Sequence, residues 1–423
     1  MKVLIQNSVY FPNVIGGAEI SSHLLGQELR RRGIAADAVA TTGRVGGGAE
    51  LTTRPTADGL GTVYEAPAHG VCDLLPPAGA PQPGFARRSL NHLSSVRSAR
   101  WRRLFDAVLD RVRPDVVHTN TIVGLTPAIW AAAHARGVPV VHTLRDYHLL
   151  CPRTTLLRSS QTDCTAPPLP CRVLASLKLR QTHEVQLVTA PSDFVLQKHL
   201  AAGGFTGART AVVPNALEEW PEEVPRRESA GGEVRGLFLG QISRHKGIGL
   251  LLEALAGLFA DPACSRLRFD LAGRGPLVPE VVAFCAAHPD RAVYHGMVRD
   301  EPRRDLLRRA SFMVVPSIWA EPFARSIIDG FSWGLPAIGC RQGGIPEVIT
   351  DGRDGLLVAP TAAGLAAAMA ALTTDHARRL RLGEAARSRA ADFTLVRQVD
   401  RFVELYRDLV ADPGPPRRPT AAT

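Results

Sequence analysis

The sequence predicts an α/β protein made of two doubly wound, Rossmann-like parallel sheets facing each other, and three observations carry that expectation. A rhythm of apolar run, loop, amphipathic stretch and glycine stop recurs from Val3 to His142; the same series restarts at Gly236; and a Glu/Pro/Gly-rich stretch, PNALEEWPEEVPRRESAGG, lies between them.

The elements follow in order. Val3-Leu4-Ile5 reads as a first strand, and residues 18–32 as a helix closed by Gly33. Residues 104–112 are helix-like, 115–118 strand-like, 128–136 helix-like before Gly137, and 138–142 strand-like again. In the second half, strands are expected at 236–240, 267–272 and 312–316, with helices at 248–259, 278–287 and 324–333. The domain boundaries that result are 1–213, a linker at 214–233, a second domain at 234–392, a helix within 393–412 that crosses back to the first domain, and a disordered tail at 413–423. The segment 44–99 is the least regular, and its PPAGAPQPG reads as a mobile surface loop.

Composition narrows the function. The chain has 423 residues, 45% of them hydrophobic, and a formal net charge of +10. Apart from Lys2, Lys178, Lys198 and Lys246, every basic residue is arginine, spread along the chain among 40 acids, which reads as compositional bias rather than a nucleic-acid docking stripe. Seven cysteines, an odd number, argue against a disulfide scaffold. The opening MKVLIQNSVYFP is too briefly apolar for a signal peptide, and no apolar run is long enough to span a membrane, so a cytoplasmic protein is expected. Arg87, Arg88, Arg97, Arg100, Arg102 and Arg103 give the first domain a basic stretch suited to peripheral contact at an inner membrane face, or simply to a solvated surface.

Ligands of open parallel sheets bind beyond the carboxyl ends of the strands, so the loops after the apolar runs are the candidate sites. Gly16-Gly17 precedes a helix and leaves its N–H groups approachable. In Gly240-Gln241-Ile-Ser-Arg244-His-Lys246-Gly247, Lys246 is the only lysine after Lys198, a compact ammonium where the chain otherwise uses arginine, as phosphate binding favours. In Pro316-Ser-Ile-Trp-Ala-Glu321-Pro-Phe323-Ala324-Arg325-Ser326-Ile-Ile-Asp329, the N–H groups of residues 324–326 open a helix suited to a diphosphate, with Arg325 as extra charge and Phe323 as an apolar contact. The fourth loop is His142-Thr-Leu-Arg145-Asp146-Tyr147-His148, followed by Cys151, Cys164 and Cys171. These three thiols contain no CxxC pair, so ordinary thiols are favoured over a structural zinc, and no metal is assigned.

Taken together, GGAE, VPVVHTLRDYHLLCPR, VVPNAL, GQISRHKG, LAGRGPL, VPSIWAEPFARSIIDGFSWGLPAIG and GGIPEVITDGRDGLLV resemble, in order and over nearly the whole chain, the retaining nucleotide-sugar glycosyltransferases of GT-B architecture in the group 1 family. The resemblance implies an acceptor near Gly16, Gly17, Arg145 and Asp146. It implies a nucleotide-sugar donor in the second domain: Lys246 on the diphosphate, Glu321 at the transferred sugar, Asp329 on the ribose, and Gly240, Gln241, Arg244, Gly273, Gly275, Phe323 and the 324–326 helix start around it. Base selectivity falls to the 273–277 and 295–299 loops. Lys246, Glu321 and Arg145 are the implied catalytic residues. Three positions depart from the pattern: Arg145 stands for a histidine, Gln241 for an arginine with Arg244 nearby, and Asp329 for a glutamate one methylene longer.

The expected activity is metal-independent, retaining transfer from a UDP-, GDP- or dTDP-sugar to a sugar, lipid-linked or small-molecule acceptor, with no cofactor and no nucleic-acid partner. The chain has no Asp-x-Asp triplet to place a metal on the diphosphate. The alternative is a weakened or inactive homologue that binds a sugar nucleotide or acts as a scaffold. A nicotinamide oxidoreductase is disfavoured, because no G-x-G-x-x-G follows the first strand.

Overall fold

Val3, Leu4 and Ile5 are fully buried on both faces of the strand they form, which places that strand inside a sheet covered on both sides. The computed structural model describes residues 1–46, 50–70, 72–75, 90–91, 93–94, 96–158, 162–224 and 232–413. The chain divides into two units: unit 1 comprises Met1–Leu156, Cys164–Pro214 and Leu395–Thr423, and unit 2 comprises Leu157–Asp163 and Asn215–Thr394. PPAGAPQPG, Arg87, Arg88 and residues 414–423 of the tail lie outside the described residues.

In unit 1 the chain runs β1 (Lys2–Gln6), α1 (Gly17–Arg31), β2 (Ala35–Val45), β3 (Thr52–Pro55), β4 (Thr62–Ala68), α2 (Ala99–Val112), β5 (Val116–Thr119), α3 (Ala128–His134), β6 (Val140–Thr143), α4 (Leu169–Leu179), β7 (Leu187–Ala190), α5 (Asp193–Ala201) and β8 (Arg209–Val212). The eight strands lie in the order β3-β4-β2-β1-β5-β6-β7-β8. All pair in parallel except β3, which is antiparallel to β4 at the edge.

Unit 2 continues with β9 (Val234–Leu239), α6 (Ile248–Ala260), β10 (Leu267–Ala272), α7 (Val278–Ala287), β11 (Ala292–Tyr294), α8 (Asp300–Arg309), β12 (Phe312–Val315), α9 (Arg325–Ser332), β13 (Ala337–Cys340), α10 (Ile345–Val348), β14 (Gly355–Val358), α11 (Ala362–Thr374) and α12 (His376–Ala390). Its six strands are all parallel, in the order β11-β10-β9-β12-β13-β14. This is the nucleotide-binding order, whose direction reverses between β9 and β12 and opens a crevice there.

Two boundaries differ from a simple linker between domains. Residues 215–221, in the stretch expected to be a connection, are packed into unit 2. Asn215, Ala216 and Leu217 are buried, the Leu217 N–H donates to the Phe393 carbonyl at 2.8 Å, and the Arg387 guanidinium lies 3.8 Å from the Trp220 ring centroid. Burial of Ala216 and Leu217 fixes the start of this acidic stretch, and the half-exposed Trp220 ring is held by the Arg387 guanidinium over its face. The last helix, α13 (Leu395–Ala411), falls in unit 1. Its Val399, Phe402 and Tyr406 share a core with Val3, Ile5, Leu25 and Leu29, and Arg32 pairs with Asp400 at 2.5 Å. Among the described residues, no helix is long and apolar enough to cross a membrane.

Candidate active site

The loops after β9 and β12 meet at the reversal point of the unit 2 sheet. Gly247, with φ of 74°, approaches the 316–321 loop so closely that a Cβ there would stand 1.8 Å from the Pro316 carbonyl oxygen, so only glycine fits. The Ile318 N–H donates to the His245 carbonyl at 3.0 Å, and the Gly344 N–H to the Glu321 carbonyl at 2.7 Å. These ties bring Lys246 and Glu321, separated by 75 residues, into direct contact.

Lys246 Nζ donates to Glu321 Oε2 at 2.7 Å and Oε1 at 2.9 Å. Ser317 Oγ (2.9 Å) and Trp319 Nε1 (2.7 Å) also donate to Oε2, and the ammonium lies 5.0 Å from the Trp319 ring centroid. Burial raises the Glu321 pKa, but the Lys246 charge and the three donors outweigh it, so the carboxyl sits below its usual range. Beside it His245, edge-on to Trp319, is brought down to about 4 by burial and then by Lys246, so it is neutral at neutral pH. The Lys246 side chain keeps 22% of its surface exposed, against 7% for Glu321, so the ammonium is the face of the pair that a ligand can reach.

Other residues named from sequence fall around this pair. Gly240, Gln241 and Arg244 are exposed on the loop after β9. Gly273 and Gly275 let the 273–277 loop close on that loop: a Cβ would stand 1.8 Å from the Gly240 carbonyl oxygen and 2.1 Å from that of Ile242. Ala324 does not begin the helix as expected. It is the N-cap, in the left-handed region at φ 59°, and the helix starts at Arg325, with no acid in its first turn. An alanine held there costs about 1 kcal/mol. The Phe323 ring lies in the core, edge-to-face with Phe393 at 5.8 Å, because a ring this apolar is better buried than solvated at a polar site.

Asp329 is not an open carboxylate. Arg303, from α8, donates to its Oδ2 at 2.8 Å and lies 3.8 Å from Glu218, and Arg325 also approaches Glu218 at 3.8 Å. Burial alone would lower the Arg303 pKa, but Asp329 and Glu218 raise it, so the guanidinium stays charged. Next to these pairs is a cavity of about 200 Å³ lined by Glu218, Glu219, Asp300, Arg303 and Arg304. Arg303, Ser317 and Trp319 were not singled out in the sequence. Trp319 and Ser317 sat inside a recognised motif without a role, and nothing local marks Arg303 among so many arginines.

In unit 1 the corresponding reversal lies between β1 and β5. Gly16 caps α1 and Gly17 begins it, and the Gly16 N–H donates to Glu19 Oε2 at 2.7 Å, so the helix's own carboxylate takes up that N–H. Burial raises the Glu19 pKa. Arg145 Nε donates to Asn120 Oδ1 at 3.1 Å, joining the loops after β6 and β5, and Asp146 Oδ1 accepts from the His148 N–H at 2.7 Å. Burial raises Asp146 as well. Beneath this loop Lys178 is buried, its Nζ 3.0 Å from His148 Nε2 and donating to the His148 carbonyl at 3.2 Å; burial brings its pKa down to about 8. Lys178 is one of four lysines, a signal that could have drawn attention to it. Cys171 is raised by burial and then by nearby Cys151 and Cys164. Among the described residues no three His, Cys, Asp or Glu side chains are arranged to hold a metal.

Comparison with known proteins agrees with both halves. Residues 15–219 match the glycosyltransferase family 4 model and residues 233–375 the glycosyl transferases group 1 model. Glycogen synthase of Mycobacterium tuberculosis is 26% identical over 403 residues, covering 93% of this chain and 91% of that protein. Among solved structures, sucrose-phosphate synthase from Thermosynechococcus elongatus superposes with a TM-score of 0.71 at 19% identity, over 97% of this chain and all of that one. Anabaena HepE in complex with UDP gives 0.68 at 20% identity, over 97% and 100%. The fold and the two family matches define a glycosyltransferase of the GT-B architecture. Within it, unit 2 carries the group 1 match and the Lys246–Glu321 pair together.

Proposed function

We propose that the protein transfers a sugar from a nucleoside-diphosphate donor, held at unit 2, to an acceptor hydroxyl, with retention at the anomeric carbon and without a metal ion. The Lys246–Glu321 pair at the β9/β12 reversal point is the observation that carries this reading. In the reaction the bond between the anomeric carbon and the diphosphate oxygen breaks, a bond to the acceptor oxygen forms, and the acceptor proton passes to a phosphate oxygen. As the bond breaks, negative charge grows on the diphosphate, so a fixed ammonium and the N–H groups opening α9 bind the transition state more tightly than the substrate.

Lys246 neutralises the diphosphate, with Arg244 as a second cation on the same loop. Glu321, kept ionised by Lys246, Ser317 and Trp319, holds the ammonium in place at the sugar end of the donor site, where its charge favours the oxocarbenium. The likeness to HepE, solved with UDP, supports a nucleoside diphosphate as the leaving group. Metal independence rests on the missing Asp-x-Asp triplet. Arg145 and Asp146 are assigned to the acceptor side, where Arg145 is held by Asn120.

The test is release of free nucleoside diphosphate from a panel of UDP-, GDP- and dTDP-sugars, with and without EDTA. Release from one donor class, unchanged by EDTA, is expected. Thermal stabilisation by a nucleotide sugar without turnover would establish the binder or scaffold reading, and loss of activity in EDTA would overturn the metal-free mechanism.

A further inference from the structure

The helix α4 presents its two long faces to different surroundings. Toward the protein, Leu174 and Lys178 are buried, and Lys178 holds His148. Toward solvent, Leu169, Val173 and Leu177 are 68%, 51% and 40% exposed. Their spacing of four residues stacks them on one side of the helix, and no other helix among the described residues exposes three large apolar side chains. The Gln181 amide nitrogen donates to both the Leu177 carbonyl (3.2 Å) and the Val96 carbonyl (3.0 Å), which sets the end of this stripe beside the segment carrying Leu93, itself 63% exposed.

The charge around the stripe has one predominant sign. Arg172 and Arg180 are exposed on α4 and just after it, Arg97 on the adjoining segment, and Arg153 on the loop leading to α4. The chain has no acid between Asp73 and Asp106, and Asp163 is the exposed acid on the approach to α4. A narrow apolar strip on an 11-residue helix is far smaller than a stable protein interface, which needs roughly 20–30 residues a side. It is also too short to span a bilayer, which takes about 20 apolar residues. It does match an interfacial helix, whose apolar side chains enter the acyl boundary while arginines meet anionic headgroups.

We propose that the exposed face of α4 docks the protein on a bilayer containing anionic lipid, with Leu169, Val173 and Leu177 inserted and the surrounding arginines on the headgroups. Because Lys178 ties the opposite face to His148, docking holds the 145–148 loop about one helix diameter, roughly 10 Å, from the bilayer surface, within reach of the hydroxyl of a lipid-linked acceptor. Only this consequence rests on the glycosyl-transfer reading, since binding to vesicles requires no turnover.

The experiment is cosedimentation of the full chain with vesicles of phosphatidylcholine alone or mixed with phosphatidylglycerol, at low and high salt. The protein is expected to partition several-fold more onto the phosphatidylglycerol vesicles, and less at high salt. Leu169→Gln/Val173→Gln/Leu177→Gln is expected to lower partitioning at least about tenfold, with melting temperature and nucleotide release unchanged. Should the triple variant fold poorly, Val173→Glu alone is expected to lower partitioning in the same direction. The proposal is overturned if the wild type does not bind phosphatidylglycerol vesicles, or if the folded variants bind as well as the wild type. It is equally overturned if the wild type ignores vesicles and forms a dimer that the triple variant dissolves, which would make the stripe a contact between copies.

Discussion

At the reversal point of unit 2, buried charge is kept and paired: Lys246 with Glu321, Arg303 with Asp329. In unit 1, several buried basic groups have no carboxylate hydrogen-bonded to them, and burial lowers their pKa. It pushes His118 well below its usual range, brings His142 down to about 3 and His199 to about 4, and lowers Lys178 to about 8. The histidines are held by hydrogen bonds instead: His118 lies between Tyr406 and Thr143, and His142 next to Thr119, to which Trp130 donates. The difference lies in how a buried basic group is kept: by an opposite charge where one is at hand, and otherwise by neutral hydrogen-bond partners and a lowered pKa.

The largest expected effect separates the pair from its members. Lys246→Ala strands the buried Glu321 carboxylate and is expected to cost about 3 kcal/mol of stability in thermal or urea unfolding. The double variant Lys246→Met/Glu321→Gln is expected to recover to within about 1 kcal/mol of the wild type. A single variant as stable as the double would show that the pair is not buried charge in the sense drawn here.

Lys178 tests the other side of the contrast. Its folded pKa of about 8 lies below the ordinary 10.5, so the folded state binds fewer protons between those values. Its burial therefore costs stability in full below pH 8, and the cost is relieved as pH rises toward 10.5, by up to about 3 kcal/mol. Measured as the difference between wild type and Lys178→Met, stability should rise across that window. A difference that does not change with pH contradicts the assignment.

Trp319→Phe removes one donor to the Glu321 carboxylate and is expected to cost about 2 kcal/mol. The depressed Glu321 pKa contributes stability above its unfolded value that is lost as pH falls through the folded one. With Trp319 gone the folded pKa rises, so the acid loss should begin at higher pH. The smallest effect is expected at Asp329, whose Oδ2 is already taken by Arg303. Asp329→Asn should weaken nucleotide binding by calorimetry about tenfold, or about 1.4 kcal/mol, and a much larger loss would mean that Arg303 moves aside for the ligand.

Much of the fold is legible in the sequence because central strands are uninterrupted apolar runs, as at Val3–Ile5 and Phe312–Val315, and helices have clear stops, as at Gly33 and Gly137. The strands β2 to β4 were not legible. Their Ala, Thr and Arg residues carry no apolar run, and β3 is held by pairing with β4 rather than by its own composition. The site was legible as residue types at loops, with Lys246 marked by its rarity. Its pairing with Glu321 was not, because a contact across 75 residues is set by strand order and by the close approach at Gly247. The core packing of Phe323 is not legible either, because its place in a loop after a strand says nothing about which way the ring turns.

The most direct test of the central claim, that the Lys246–Glu321 pair is the donor site, is nucleoside-diphosphate release by Lys246→Met/Glu321→Gln, compared with the wild type on the donor the wild type uses. Turnover is expected to fall by about a hundredfold or more, with stability within about 1 kcal/mol of the wild type. Equal turnover by the folded double variant would contradict that claim.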